Sequence, residues 1–135
     1  MKKIFLPILL TALALASIQS CNMSEVMLQA AVEKANESCP DDIDDDMVLA
    51  GMAYDGQYVV YSIECDGEKC VLDQVFVTPE LRQTTIDELL ANEASDENLQ
   101  AFLSLVRKAK AGIIYHYYIP DTEMEMEVKI EPDEL

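Results

Sequence analysis

The chain has no tryptophan, one histidine, four glycines and only nine lysines and arginines in 135 residues. Each shortage removes a class of function. Four glycines supply little for a phosphate-cradling loop, and the Walker, dinucleotide-fingerprint, nucleophile-elbow and zinc-protease helix patterns are all missing. The single histidine, His116, has no marked nucleophile or acid beside it, and strand parity sets it on the face opposite Tyr115 and Tyr117. It reads as a structural or exposed side chain, and one histidine also disfavours a zinc site. Basic residues are outnumbered by 26 Asp and Glu, for a formal charge of −17. Such a surface repels phosphates and anionic lipid heads, which excludes nucleic acid, and it steers cationic partners inward. Half of the residues are hydrophobic, too many for a disordered acidic tail, and the length suits one domain.

The strongest signal is an address. Met1-Lys2-Lys3 is positive, and residues 4–16 are apolar apart from Thr11, with Pro7 the other interruption. That run is too short to stay in a bilayer as a spanning helix, and residues 1–20 read as an export signal peptide. Ala14-Leu15-Ala16 suits ordinary cleavage, whereas Ile18-Gln19-Ser20-Cys21 resembles the lipobox of bacterial lipoproteins, Gln19 being the departure from its pattern. In the lipoprotein reading Cys21 is the lipid attachment and the sole membrane contact. The expected location is the bacterial cell envelope, periplasmic or outer-membrane-associated; ordinary cleavage gives a secreted protein. Export also makes Cys39, Cys65 and Cys70 disulfide candidates. Cys65 and Cys70 flank Asp66-Gly67-Glu68-Lys69 and would face each other across a hairpin, while Cys39 joined to either would tie the first helix to the sheet. Lipidation of Cys21 leaves an odd thiol and ordinary cleavage allows two bridges, so both pairings stay open.

Residues 21–135 are expected to form one acidic α+β domain, with 21–24 a short tether. Ser24 caps a helix over residues 25–37 in which Val26, Leu28, Ala30, Val32 and Ala35 recur near helical spacing, and Pro40 ends it. The aspartates of residues 41–46 read as a solvated loop; calcium is the other use of such a run, but an EF-hand begun at Asp42 meets Met47 where Gly belongs and Ala53 where the closing Glu belongs. Residues 47–54 and 57–64 flank Asp55-Gly56, a hairpin signal that places Val48, Met52, Val59, Tyr61 and Ile63 on one face. Residues 71–77 suggest a third strand. Thr78-Pro79-Glu80 and Thr85-Ile86-Asp87-Glu88 repeat capping patterns, so residues 79–91 are predicted helical but interrupted. Ser95 starts a further helix lined by Leu99, Phe102, Leu103 and Val106, closed by Arg107, Lys108, Lys110 and Gly112. Residues 113–119, a Pro120-Asp121 turn and residues 123–131 form a last hairpin in which Met124, Met126, Val128 and Ile130 share a face. The order α-β-β-(β)-α-α-β-β predicts an antiparallel sheet of four or five strands with two or three helices packed on one face.

Glu37-Ser38-Cys39-Pro40, the run from Tyr54-Asp55-Gly56 to Tyr61, Ala111-Gly112-Ile113-Ile114-Tyr115-His116-Tyr117 and the closing Ile130-Glu131-Pro132-Asp133-Glu134-Leu135 resemble a group of small exported bacterial proteins of unknown function. The resemblance implies an envelope or secreted location and carries no catalytic motif. Glu123, Glu125, Glu127 and Glu131 project from one side of the last strand, either as protection of a sheet edge or as a docking stripe. Glu123, Glu125 and Glu127, with Tyr115 and Tyr117, are the candidate partner-binding residues. The expected function is that of a non-enzymatic, lipid-anchored, protein-binding domain, an inhibitor or immunity-type module for a basic partner. The alternative is a structural or accessory subunit of an envelope assembly. A carboxylate-pair hydrolase is disfavoured because any acidic chain offers such pairs by chance. No catalytic residue, cofactor or metal is assigned.

Overall fold

The computed structural model describes residues 23–68 and 79–135. The signal peptide, Cys21, Cys70, the Thr78 cap and the third strand expected at residues 71–77 lie outside them. The described chain is an α+β fold: α1 (Met23–Asn36), β1 (Asp41–Asp42), β2 (Met47–Tyr54), β3 (Tyr58–Cys65), α2 (Pro79–Ser95), α3 (Glu97–Lys108), β4 (Gly112–Tyr118), β5 (Glu125–Ile130) and a short 3-10 turn, Pro132–Glu134. The strands form one sheet in the order β1-β2-β3-β4-β5.

The sheet is mixed rather than wholly antiparallel. Every neighbouring pair is antiparallel except β3 and β4, which run parallel with Val59 opposite Ile113 and Tyr61 opposite Tyr115. The reason is topological: the chain leaves the far end of β3, passes through α2 and α3, and re-enters at the near end, and a crossover of that length joins parallel strands. Part of the segment expected to be a solvated loop, Asp41–Asp42, is a two-residue edge strand whose residues stay exposed.

The first hairpin turns one residue later than expected. Asp55 N–H donates to the Tyr58 carbonyl at 3.1 Å, so Gly56 and Gln57 are the central pair, with Gly56 at φ 95°. Glycine occupies that position because an L side chain is strained there. The Asp55 carboxylate accepts from the N–H groups of Gln57 and Tyr58, and those bonds hold it below the usual carboxylate range. Sliding the turn by one residue shifts the register by two, so Met52 faces Tyr61 and the inward set Met52, Val59, Tyr61 and Ile63 survives. Val48 does not stay with it. A bulge between Leu49 and Gly51 shifts the pairing by one, Val48 pairs with Glu64 on the outer face, and Met47 and Leu49 turn inward instead. Asn36, at the end of α1, accepts from Met52 N–H at 2.9 Å beside this bulge, and a Cβ on Gly51 would sit 3.2 Å from the same oxygen. Asn36→Ala is therefore expected to cost about 1–2 kcal/mol, read as a lowered urea midpoint with unchanged slope.

The helices cover the inner face. Leu28 and Val32 of α1, Ile86 and Leu89 of α2, and Leu103 and Val106 of α3 pack with Val59, Ile113 and Ile130 in one core. Val26, expected on the packed side of α1, is 37% exposed, and α1 begins at Met23, so Ser24 lies inside the helix rather than capping it. The helix α2 runs through Ser95 without interruption, and Asp96 rather than Ser95 caps α3, its carboxylate accepting from Asn98 and Leu99 N–H. A Glu93–Arg107 pair at 2.5 and 2.8 Å clamps the two helices, and the guanidinium holds the Glu93 carboxyl below its usual range. A second, smaller cluster of Ile63, Cys65 and Ile119, with Met47, Leu49, Met124 and Met126 against it, fills the other end of the inner face.

Candidate interaction surface

Strand register assigns the outer face row by row, because residues directly opposite one another share a face. One row crosses four strands as Val48, Glu64, Tyr118 and Glu125; the next is Gly51, Ser62, His116 and Glu127; a third is Ala53, Val60, Ile114 and Lys129. None of these residues belongs to the inner clusters. His116 stacks on Tyr118 with centroids 5.6 Å apart, and its Nε2 lies 3.3 Å from the Glu125 carboxylate. Burial pushes the Tyr118 phenol up, and the Glu64 carboxylate beside it adds to the shift.

Beyond the first row the acidic surface continues into an open cleft of about 870 Å³. Asp42 lines it from β1, Asp44, Asp45 and Asp46 from the β1–β2 connection, Glu64 from β3, and Asp66 and Glu68 from the turn after β3. Its apolar parts are Ile43, Met47, Cys65, Ile119 and Pro120, and among the described residues no Lys, Arg or His lines it. Local hydrogen bonds make this crowding of like charge structurally tolerable: Asp44 Oδ1 accepts from Asp46 and Met47 N–H, Asp66 N–H donates to the Asp46 carbonyl at 2.9 Å, and Asp66 Oδ1 accepts from Glu68 N–H. Among the described residues no group of three or more His, Cys, Asp or Glu is arranged to hold a metal ion. Val48 and Glu64 belong to both the outer row and the cleft, so the two acidic regions are one surface.

The expected partner-binding residues divide between the faces. Glu125 and Glu127 lie on the outer side, and Glu123 is exposed in the preceding turn. Tyr115 and Tyr117, opposite Val128 and Met126, point to the inner side and pack against the clusters there, because strand alternation separates them from the carboxylates. The tyrosines that share the acidic face are Tyr118 and Tyr58, which the alternation of residues 115–118 could have shown for Tyr118. Tyr58 bonds the Glu131 carboxylate, which raises its phenol, and the Lys129 ammonium lies 4.9 Å above its ring.

Tyr61 and Tyr115 stack on the inner face with centroids 5.0 Å apart. Burial pushes Tyr61 up to about 12 and Tyr115 higher still. The neutral phenols are thus the folded-state form, and their contribution to stability, complete below the ordinary value of 10.0, is lost as pH rises through about 12. An absorbance titration is expected to show the Tyr61 and Tyr115 phenols ionising only together with alkaline unfolding.

Cys39 is a partly buried thiol whose Sγ lies 3.8 Å from the Ala35 carbonyl, and no disulfide joins it to Cys65. The pairings of Cys39 or Cys65 with Cys70 lie outside the described residues. The two thiols stand at different places, Cys39 after α1 and Cys65 within the second inner cluster.

No family model and no curated protein matches the chain. A solved structure does. It is a crystal structure from Pseudomonas aeruginosa, labelled a secreted protein, with a TM-score of 0.59, 13% identity, and coverage of 82% of this chain and 91% of that one. At that identity the likeness shows a shared fold and no more. No helix among the described residues is long and apolar enough to cross a membrane.

Proposed function

We propose that this protein is a non-enzymatic, exported binding module that captures a basic protein on the acidic surface formed by the outer face of the sheet and the adjoining cleft, in the manner of an inhibitor or immunity protein. The observation that carries the reading is the continuity of the Glu125, Tyr118, Glu64 and Val48 row with a cleft that, among the described residues, is lined by seven carboxylates and no cationic side chain. Carboxylates gathered in this way repel one another at neutral pH, and a cationic surface relieves that repulsion on docking. Tyr118 and Val48 add apolar contact area within the row.

The leader supports an envelope location, and the secreted label of the Pseudomonas aeruginosa neighbour agrees with export. Anchoring by a lipid on Cys21 is part of the proposal: Cys21→Ser is expected to move the protein from the membrane fraction to the soluble fraction and abolish its labelling by radioactive palmitate. The functional reading is tested by capture on the immobilised full-length protein from envelope extract and culture supernatant at low and high salt. The expected result is a basic protein held at low salt and released at high salt. A partner whose retention survives high salt would overturn it in favour of an accessory subunit of an envelope assembly, held by apolar contacts.

A further inference from the structure

A second, smaller cavity of about 280 Å³ lies between α2 and the inner face of the sheet, apart from the outer acidic rows. Four residues of α2 reach it, Thr85, Glu88, Leu89 and Asn92, spaced as one helical face. The sheet contributes Ile63, Tyr115 and Tyr117, and Ile43 and Met47 close the remaining side. Ile43 is half exposed and stands where this cavity meets the acidic cleft, which it also lines.

The lining combines an apolar wall with a polar set of one character. Among the described residues Glu88 is its only charged group, and none of its lining side chains is basic. The phenols of Tyr115 and Tyr117 have no hydrogen-bond partner among the described residues, and among those residues no polar side-chain atom is sealed from solvent without a partner. The two phenolic oxygens therefore reach open space while their rings are packed. With no partner among the described residues, these accessible hydroxyls can bond a ligand group in place of water. Burial pushes the Tyr117 phenol up, and the neighbouring Cys65 and then Glu88 add to the shift. An anionic ligand would meet Glu88 and a chain of formal charge −17, whereas a cation is attracted by both and by the electron-rich ring faces.

We infer that this cavity is a binding site for a small primary alkylammonium, its apolar tail against Ile43, Met47, Ile63 and Leu89 and its three N–H donors directed to Glu88, the Tyr117 phenol and the Asn92 amide oxygen. The volume lies near the lower end of the ligand-pocket range, about 300–1,000 Å³, which selects small amines. The site adjoins the docking surface proposed above, sharing Ile43 and Met47 with its cleft, but its ligand chemistry does not depend on that reading.

The test is a methyl-observed NMR titration of the full-length protein with n-hexylammonium, 1-hexanol and hexanoate. The expected result is saturable binding of n-hexylammonium with shifts at the methyl groups of Ile43, Met47, Ile63 and Leu89, at least tenfold weaker binding of hexanol, and none of hexanoate. Glu88→Gln, at an exposed position where the melting temperature should not change, is expected to weaken the ammonium at least tenfold, and Tyr117→Phe to weaken it less. Equal binding of hexanol and n-hexylammonium, or indifference to Glu88→Gln, would overturn cation recognition. Shifts confined to residues 42–46 and 66–68, or no saturation at millimolar ligand, would overturn the site.

Discussion

Gly112→Ala is expected to destabilise the protein by about 3 kcal/mol, a fall of roughly 10 °C or more in melting temperature by circular dichroism. Gly112 opens β4 opposite Tyr58, and a Cβ there would lie 2.5 Å from the Ile130 carbonyl oxygen and 2.6–2.7 Å from two carbons of the Tyr58 ring. Neither neighbour yields easily. The carbonyl belongs to the backbone of β5, and the ring crosses the glycine to reach Glu131 while Lys129 sits above it. The absence of a side chain at Gly112 thus permits a cross-strand contact joining β3 to β5 over β4. The double variant Gly112→Ala with Tyr58→Leu should recover only part of the loss, because it relieves the ring and leaves the carbonyl clash. A melting temperature equal to the wild type for Gly112→Ala would show that the ring and strand relax freely, contrary to this account.

The second large effect concerns the acidic surface. Changing Glu64, Glu125 and Glu127 together to Gln is expected to weaken binding of the captured basic partner roughly 10- to 100-fold at low salt, most of it through slower association, and far less at high salt. The three carboxylates lie in adjacent rows of the outer face on β3 and β5, and nearly isosteric amides leave the strand pairings intact. The melting temperature should therefore hold or rise, as removing like charges lowers self-repulsion. Titration calorimetry at two salt concentrations with the captured partner checks both statements. An unchanged dissociation constant in the triple variant would remove these residues from the interface.

Much of the fold was legible because its signals were local. The strict alternation of Met124, Met126, Val128 and Ile130 gave the inward face of β5, and the apolar stripe containing Leu103 and Val106 gave the packed side of α3. What escaped depended on partners distant in sequence. The parallel pairing of β3 with β4 follows from a helical crossover, not from any pattern in residues 58–65 or 112–118. The bulge that moves Val48 to the outer face carries no signal beyond the Gly51 beside it, and the nearby Met52 N–H is answered by Asn36 from another element. Gly112, read as a helix stop, lies inside the sheet, and Lys110 takes the left-handed position at φ 55° instead.

The candidate surface was half legible. Glu125 and Glu127 were visible as a charged alternation, but joining them to Tyr115 and Tyr117 overlooked the parity that sends those rings inward. The cleft could not be read at all. It is assembled from the β1–β2 connection, the turn after β3 and the β4–β5 turn, three loops that only the sheet order brings together.

The most direct measurement of the central claim is a hydrogen-exchange footprint of the captured basic partner on the full-length protein. Slowed exchange is expected in residues 42–48, 64–68 and 118–127, segments that contribute to the outer rows and the cleft. Protection confined to α1 and α3, with those segments unchanged, would contradict it and place the partner on the helical side.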